Sequence, residues 1–323
     1  MTDIQRLLGA IRRGEKTFES VCNLLDMAPK RVERLIVSAR KAGHDVAIAG
    51  ETLGIRPALP STDVEDISVS VAKSGERRYF AVISDLHFGS KYHRRDYLKD
   101  FLNRAVDRGV NRVLLGGDLL DGCYRHGKWE LTHHGFQDQC ADFIEGLPQF
   151  KGLQYWGITG NHDQTFEESG AVIHEAINAQ FRAEGRTDLT LLAARGAYVR
   201  LKAKGEKRGL IVELWHPLKG PAYALSYKLQ KHIESYAVGC KPDLLFTGHW
   251  HQSIYFSTRG VHAFSAGTFQ GGGSSFSKSL GGSPSIGGWI VDYTLTSDGT
   301  VRSIRPEWVA YYEKEVAREI EMH

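Results

Sequence analysis

The chain has 323 residues, of which 41% are hydrophobic and 24% charged, and its formal net charge is +3. This composition is ordinary for a soluble globular protein, and the length suits two domains. No apolar run approaches the roughly 18 residues that a membrane span needs, so no membrane partner is expected. The four cysteines are scattered without a C-x-x-C pair and no signal-peptide pattern is visible, so we expect reduced thiols and a cytoplasmic location.

Residues 1–56 are predicted to fold as a small domain of three helices followed by a hairpin. Apolar residues recur at helical spacing in the first two segments, and Pro29 suits the first turn of a third helix that Gly43 ends. Alternating apolar residues on both sides of residues 50–52 then predict the hairpin. This order of elements resembles a winged helix-turn-helix domain.

The third predicted helix has a charge bias that suits contact with phosphates. Its five basic residues stand against the single acidic Glu33, which gives 5 − 1 = +4. These basic residues are Lys30, Arg31, Arg34, Arg40 and Lys41. A recognition helix that meets DNA phosphates is expected to be biased in this way. The alternative is a solvated helix face on a domain that dimerises or docks on another protein.

Residues 57–77 are polar, include Pro57 and Pro60, and are predicted to form a linker. Residues 78–323 then alternate between strand and helix patterns. Strands are predicted at residues 79–84, 112–115, 155–159, 210–215, 244–247, 254–257, 261–265, 289–295 and 301–308. Helices are predicted at residues 97–106, 143–147, 169–183 and 222–238, with a further short helix after Glu307. This alternation predicts an α/β layered domain.

Polar clusters follow five of the predicted strands, each at the point where the strand ends. In chain order they are Asp85-Leu86-His87, Gly117-Asp118-Leu119-Leu120-Asp121, Gly160-Asn161-His162-Asp163, His216-Pro217 and Gly248-His249-Trp250-His251. Open α/β sheets bind ligands at the carboxyl ends of their strands. We therefore expect folding to gather these clusters on one edge of the sheet.

The residue types in these clusters suit metal binding. Asp, Asn and His are ligands for Mn, Fe or Zn. D-x-H and H-x-H place two ligands on one extended segment, where alternating side chains point the same way. The glycines before Asp118, Asn161 and His249 are expected to let the backbone turn sharply at the strand ends.

Taken together, the five clusters resemble the calcineurin-like metallophosphoesterase superfamily, whose pattern runs D-x-H, G-D, G-N-H-[DE], H, G-H-x-H. The resemblance covers residues 79–295 and implies a layered β-sandwich flanked by helices. The sequence departs from the pattern at Trp250, where a small hydroxyl residue is commoner.

The resemblance also implies a centre of two divalent metal ions, with Mn²⁺ expected first and Fe or Zn as alternatives. The first metal would be held by Asp85, His87 and His251. The second would be held by Asn161, His216 and His249. Asp118 would bridge both. In this scheme the two ions lie about 3.5–4 Å apart and share a hydroxide that attacks phosphorus.

Three further residues have expected roles beside the metals. The resemblance places His162 beside the leaving group. Asp163 is expected to orient His162 rather than to bind metal. Asp121 either supports a ligand or is a turn residue.

The leading functional hypothesis is a metal-dependent phosphodiesterase or nuclease that acts on DNA. The combination resembles helix-turn-helix metallophosphoesterases of bacteria and their phages. The alternative is a small-molecule phosphoesterase acting on a nucleotide or monoester, whose N-terminal domain serves dimerisation or regulation. A third reading is a DNA-binding regulator without catalysis, against which the intact ligand set argues. A homodimer is compatible with each hypothesis.

One stretch fits none of these patterns. Residues 271–288 hold seven glycines with serines between them. They are interpreted either as a mobile loop beside the site or as a plain flexible insertion. The stretch lacks the residue order of a nucleotide-binding P-loop.

Overall fold

The computed structural model describes residues 2–11, 16–41, 46–49, 52–55, 64–69, 76–124, 127–169, 172–203, 208–220, 222–236, 241–279, 283–296 and 301–313. The chain divides into two compact units. The first unit comprises Met1–Val64 and Ser226–Pro242, and the second comprises Glu65–Leu225 and Asp243–His323. No helix in the described ranges is long and apolar enough to cross a membrane.

The first unit contains the three helices and the hairpin expected from the sequence. They are α1 (Asp3–Ile11), α2 (Phe18–Leu25), α3 (Pro29–Lys41), β2 (Val46–Ala49) and β3 (Thr52–Ile55). A two-residue strand, β1 (Lys16–Thr17), pairs antiparallel with β3, so the sheet order is β1-β3-β2. The Thr17 hydroxyl caps α2 by accepting a hydrogen bond from the Ser20 amide. Apolar residues of all three helices, including Leu7, Val21 and Val32, form the core.

The second unit is built on two six-stranded sheets. The first sheet has the order β15-β14-β5-β6-β7-β8. Its strands are β5 (Arg78–Ile83), β6 (Arg112–Gly116), β7 (Gln154–Thr159), β8 (Leu189–Ala194), β14 (Ile286–Leu295) and β15 (Val301–Tyr311). Strands β5 to β8 run parallel, and β14 runs antiparallel to β5 and β15.

The second sheet has the order β12-β13-β11-β10-β9-β4. Its strands are β4 (Val64–Val69), β9 (Gly196–Ala203), β10 (Leu210–Trp215), β11 (Leu244–Thr247), β12 (Ser253–Thr258) and β13 (Val261–Ala266). Strands β10, β11 and β13 are parallel neighbours, whereas β9 and β12 run antiparallel at either side.

Strand β5 shows how the layers form, because its side chains alternate between two buried faces. Phe80 and Val82 pack with apolar residues of the second sheet. Ala81 and Ile83 pack on the other side, against the helices α4 (Arg95–Asp107), α5 (Phe136–Gly146) and α6 (Ile173–Ala183). A strand buried on both faces reads as a continuous apolar run, as this one does. The predicted layered sandwich with flanking helices is therefore confirmed for this unit.

Several segments differ from the sequence prediction. Residues 64–69 of the predicted linker form the edge strand β4, where Ile67 is buried between polar neighbours. The consecutive strands β8 and β9 were not predicted, and they belong to different sheets. The expected helix after Glu307 is wrong up to Tyr311, because β15 continues to pair with β14 there. Residues 314–323 of that tail lie outside the described residues.

Two further helices also differ from the sequence prediction. Helix α7 (Ser226–Ser235) is shorter than the predicted range of 222–238. Helix α8 (Ser275–Ser279) lies within the glycine-rich stretch, where no regular structure was predicted.

Candidate metal centre

The five polar clusters meet in the second unit, but they come from two sheets rather than one. Strands β5, β6 and β7 of the first sheet lead into Asp85, Asp118 and Asn161. Strands β10 and β11 of the second sheet lead into His216 and His249. The expectation of a single sheet edge is therefore wrong. The partition depends on long-range strand pairing, which the local pattern does not encode.

Asp85, His87 and His251 form the first group of donor atoms. One potential ligand atom from each residue lies within 4.8 Å of the others. The Nε2 atoms of His87 and His251 are 3.1 Å apart, and His251 Nε2 is 3.3 Å from Asp85 Oδ1. All three side chains are buried. These contacts join the first sheet's cluster to the second sheet's cluster.

Asp118, His216 and His249 form the second group, again with donor atoms within 4.8 Å of one another. His216 Nε2 lies 3.1 Å from Asp118 Oδ2 and 3.1 Å from Asn161 Oδ1. Asp118 also belongs to a third group with His87 and His162. Asp118 therefore lies close to donor atoms of both main groups, namely His87 of the first and His216 and His249 of the second.

The backbone at these clusters is unusual, because five of the donor residues have positive φ angles. The angles are 53° at Asp85, 54° at His87, 50° at Asp118, 77° at His249 and 52° at His251. Such angles are uncommon outside glycine and cost of order 1–3 kcal/mol each. The D-x-H and H-x-H ligands are therefore not presented from extended segments, as expected, but from left-handed bends just after the strands.

The glycines beside the ligands serve two different purposes. Gly117, with φ of 98°, supplies the turn expected before Asp118. Gly160 and Gly248 have no positive φ, and they instead allow close packing. A Cβ on Gly160 would lie 2.5 Å from the Asp118 backbone nitrogen, and one on Gly248 would lie 2.7 Å from an Asp85 carboxylate oxygen.

Two of the imidazoles, those of His87 and His216, are fixed by hydrogen bonds at Nδ1. His87 Nδ1 pairs with Asp121 Oδ1 at 2.9 Å, and Gln270 Nε2 donates to the same oxygen at 3.1 Å. His216 Nδ1 donates to the Gly116 carbonyl at 2.8 Å. These partners fix the ring orientation, so that Nε2 is the nitrogen directed at the other donors. Asp121 is therefore a support for His87 and not merely a turn residue.

His162 is anchored by the loop that carries Asp121. Its Nδ1 donates to the Asp121 carbonyl at 2.6 Å, and its backbone amide donates to Asp118 Oδ1 at 2.8 Å. The centroid of its ring is 4.5 Å from that of His87 and 4.6 Å from that of Tyr124.

Asp163 has a different role from the one expected. Its carboxylate accepts hydrogen bonds from the amides of Leu119, Leu120 and Gly160, at 2.7–3.2 Å. It therefore ties the loop after β6 to the loop after β7, whereas the Asp121 carbonyl orients His162. Burial and the nearby Asp118 carboxylate raise the pKa of Asp163 to about 7.

The electrostatics of the second group favour a cation. Burial raises the pKa of Asp118, but the facing His216 and His162 outweigh it and hold that pKa well below its usual value. Burial lowers the pKa of His216, but Asp118 and Asp85 raise it to about 9. Burial and the charge of His216 lower the pKa of His249 to about 4. An anionic carboxylate with one protonated imidazole is a site in which a divalent ion can displace the proton.

The donor set fits divalent metal ions. It combines imidazole nitrogens with carboxylate and amide oxygens, as sites for Mn, Fe and Zn do. Imidazole Nε2 atoms face each other or face carboxylates at 3.1–3.3 Å, an arrangement that a cation between them would satisfy. Among the described residues, the buried His251 Nδ1 has no hydrogen-bond partner.

Comparison with known proteins agrees with this chemistry. The sequence model of the family described as calcineurin-like phosphoesterase matches residues 79–253. The chain belongs to the calcineurin-like phosphoesterase family. Membership makes it a metal-dependent phosphoester hydrolase and implies divalent metal ions. The His and Asp groups described above could bind such ions. No curated protein sequence matches the chain.

Solved structures similar to this phosphoesterase span most of its length. An archaeal phosphodiesterase is 13% identical, with 72% of this chain and 100% of that chain covered and a TM-score of 0.39. Vps29 from Entamoeba histolytica, complexed with Zn²⁺, is 15% identical, with 72% and 99% covered and a TM-score of 0.34. A conserved protein from Streptococcus pneumoniae TIGR4, described as a predicted phosphoesterase, is 12% identical, with 73% and 99% covered and a TM-score of 0.35.

Three residues of the phosphoesterase site were not found from the sequence. The Tyr124 hydroxyl accepts a hydrogen bond from Asn161 Nδ2 at 2.9 Å. Gln270 supports Asp121, and Phe276 has its ring centroid 4.7 Å from that of His251. Only Tyr124 had a sequence signal, since it follows the Asp118–Asp121 cluster closely.

Trp250 is accommodated without disturbing its two histidine neighbours. The side chain is buried, and its Nε1 donates to the Lys219 carbonyl at 3.1 Å. Its ring lies edge-on to Trp215. Trp250 therefore fixes the loop that follows His216.

The residues predicted to contact DNA lie in the first unit, and in the sequence they precede all of the donor residues. Lys30, Arg31 and Arg34 are exposed on α3. The side chains of Arg40 and Lys41 lie outside what the structure describes.

Proposed function

We propose that this phosphoesterase is a phosphodiesterase or nuclease that acts on DNA with two Mn²⁺ ions. The observation that carries the DNA part is the exposed basic face of α3. Lys30, Arg31 and Arg34 are solvent-exposed, while Val32 and Ile36 on the opposite face are buried in the core of the unit. A helix with this division can lay its cationic face along a phosphate backbone.

The connection that precedes α3 supports the same proposal. Helices α2 and α3 are separated by the three residues Asp26, Met27 and Ala28, and Asp26 adopts a φ of 53°. A turn of three or four residues joins the two helices of a helix-turn-helix motif. The hairpin of β2 and β3 follows α3 in the chain, and this order of elements supports assigning the unit as a winged helix-turn-helix domain.

One contact opposes DNA binding slightly. Arg31 lies 3.2 Å from Asp3 of α1, with its side chain 68% exposed. An exposed pair of this kind is worth little, so phosphate can replace the carboxylate.

In the catalytic unit, we assign one ion to Asp85, His87 and His251, and the other to Asn161, His216 and His249. Asp118 is assigned to both. Two bound divalent ions would lower the pKa of a shared water and neutralise charge on the phosphoryl oxygens.

The chain's own residues then position and protonate the substrate. His162 donates Nδ1–H to the Asp121 carbonyl, which leaves Nε2 as the nitrogen available to a leaving oxygen. Burial lowers the pKa of His162, so the neutral ring carries no proton at Nε2. His162 would act as a general acid only from its protonated form, which would pass the Nε2 proton to that oxygen as the ester bond breaks. Tyr124 holds Asn161 through its hydroxyl and keeps the amide oxygen directed at His216.

A tethered DNA-binding domain raises the local concentration of substrate around the catalytic unit. We therefore expect removal of the α3 charges to impair cleavage of DNA while sparing hydrolysis of a small diester. The test compares wild type with the triple variant Lys30→Ala, Arg31→Ala, Arg34→Ala in the presence of Mn²⁺. Substrates are single-stranded DNA, double-stranded DNA, bis-p-nitrophenyl phosphate and p-nitrophenyl phosphate.

The expected result is at least a tenfold loss of kcat/KM on DNA near 0.1 M salt, with a flatter salt dependence and unchanged hydrolysis of the chromogenic diester. A matched control removes three exposed basic residues of the catalytic unit, Lys99, Lys151 and Arg182. That variant should keep most of the DNA cleavage. Activity confined to the monoester would contradict the proposal and favour a small-molecule phosphatase whose first unit serves dimerisation or regulation.

A further inference from the structure

The glycine-rich stretch after β13 packs closely against the rest of the second unit. In its described part, residues 271–279, a Cβ on Gly273 would clash with the Tyr92 ring and would lie 2.8 Å from its Cδ1 atom. A Cβ on Gly271 would lie 3.2 Å from the Glu313 carboxyl carbon. These glycines therefore allow close contact with neighbouring side chains, rather than serving only as flexible spacers. We name residues 271–279 the glycine arm.

Two carboxylates hold the glycine arm in place. Glu130, only 8% exposed, accepts hydrogen bonds at Oε1 from the Ser275 amide at 2.9 Å and the Ser275 hydroxyl at 2.5 Å. Glu313 accepts from the Gly272 amide at 2.9 Å and from Arg94 at 2.6 Å. A buried carboxylate is costly unless it is hydrogen-bonded, so the Glu130 contact fixes the start of α8.

The anchored arm places Phe276 beside both groups of donor residues. Its ring centroid is 4.7 Å from that of His251, in the first group, and 6.2 Å from that of His249, in the second. Phe276 is partly exposed, so the residue is accessible to a ligand.

A second aromatic ring lies beside another part of the centre. Tyr124 is 41% exposed, its ring centroid is 4.6 Å from that of His162, and its hydroxyl contacts Asn161. The donor residues are thus bordered by one aromatic side chain next to His249 and His251 and another next to Asn161 and His162.

We propose that Phe276 is a specificity-determining residue that stacks on the nucleobase next to the scissile phosphate, with Glu130 as its positioning residue. The inference rests on the proposed phosphodiesterase function and narrows its substrate to nucleotide-containing diesters. Nucleobases stack on aromatic side chains without regard to sequence, and each stack changes affinity by roughly 5- to 150-fold. A partly exposed ring held rigidly beside the metal ligands meets the requirement for such a contact.

The test uses two diesters with the same leaving group, thymidine 5′-p-nitrophenyl phosphate and methyl p-nitrophenyl phosphate. The ratio of their kcat/KM values measures recognition of the nucleoside alone. Phe276→Leu keeps an apolar side chain against His251 but removes the aromatic face, and it should lower the ratio about tenfold, as should Phe276→Ala. Tyr124→Phe keeps a ring, and Phe256→Ala removes a partly exposed ring from β12, and both should preserve the ratio.

Glu130 is tested in the same way. Glu130→Ala should lower the nucleoside-to-methyl ratio, and Glu130→Gln should restore most of it, because an amide oxygen can still accept from Ser275. Equal losses on both substrates in the Phe276 variants, or an unchanged ratio, would overturn the role of Phe276. Failure of the wild-type protein to hydrolyse either diester would instead count against the proposed function.

Discussion

Single residues determine how the imidazoles present their nitrogens to the centre. His87 and His216 are each held at Nδ1, one by the Asp121 carboxylate and the other by the Gly116 carbonyl. Fixing the ring in this way selects the tautomer that has its lone pair on Nε2. The neighbouring carboxylates raise the pKa of His216, so they favour protonation of Nε2 in the metal-free protein.

The raised pKa of His216 leads to a prediction about pH. With a pKa of about 9, His216 is protonated at pH 7 in the metal-free protein, and a metal must displace that proton. Metal affinity should therefore fall as pH decreases below 9, by about tenfold per unit for this one proton. Calorimetric titration with Mn²⁺ at pH 7, in buffers of different ionisation enthalpy, should show release of at least one proton.

His249 serves as a control for this measurement, because its pKa is lowered whereas that of His216 is raised. Burial and His216 keep its pKa at about 4, so it is already neutral at pH 7. His249→Ala should weaken metal binding without abolishing the proton release, whereas His216→Gln should reduce the release. Binding of Mn²⁺ to wild type without any proton release would show that His216 is neutral in the free protein.

At this scale, the sequence predicted which side chains meet but not every contact between them. The seven donor residues were predicted from the resemblance of the five clusters to the calcineurin-like pattern, and the position of each cluster after an apolar run led us to expect that they lie close together. The prediction for Asp163 was wrong, because its hydrogen-bond partners are backbone amides, and every residue type except proline has one. Glu130 looks like any surface acid until its burial against Ser275 is known.

At the scale of elements, the left-handed bends after the strands decide the geometry of the site. Each bend places a donor residue just after the end of its strand, and the adjacent glycines leave room for neighbouring loops. The strands themselves were predictable where they were apolar on both faces, as β5 was. Strands β4 and β9 carry more polar residues, and their place depends on pairing partners far away in the chain.

A substitution at Gly160 should disturb two loops at once. A Cβ there would lie 2.5 Å from the Asp118 backbone nitrogen, so either the loop after β6 or the loop after β7 must move. We expect Gly160→Ala to destabilise the protein by about 1–3 kcal/mol and to lower hydrolysis of bis-p-nitrophenyl phosphate at least 100-fold. Urea unfolding and steady-state kinetics measure the two effects.

Gly9 offers a matched control for that substitution. It lies inside α1 on an exposed face, and a Cβ there would meet nothing within 4 Å. Gly9→Ala should stabilise the helix by up to about 1 kcal/mol and leave catalysis unchanged. Normal catalysis in Gly160→Ala would show that the two loops can separate without moving Asp118.

At the scale of the whole molecule, the donor residues join two sheets that otherwise meet through apolar packing. Phe80 and Val82 of β5 lie in the core between the sheets, and His87 and His251 connect the sheets at their ends. A metal held by residues of both sheets binds the folded unit and not the unfolded chain. Its free energy of binding therefore adds to the stability of that unit.

Metal removal should lower the thermal stability of the catalytic unit. At a free Mn²⁺ concentration about 100 times the dissociation constant, binding stabilises the folded unit by about 2.7 kcal/mol. The midpoint of thermal unfolding should rise with Mn²⁺ concentration and fall again when a chelator is added, as calorimetry would show. In His216→Ala the rise should be much smaller, and a wild-type midpoint independent of Mn²⁺ would contradict joint binding by the two sheets.

The division of the donors between two sheets also constrains how the protein matures on the ribosome. Asp85, Asp118 and Asn161 emerge early, whereas His216, His249 and His251 are synthesised much later. Strand β14, which flanks β5 in the first sheet, and its outer neighbour β15 are made later still. A nascent chain therefore lacks the complete set of donor residues until His251 has left the exit tunnel, and a metal ion can contact all of them only after that point.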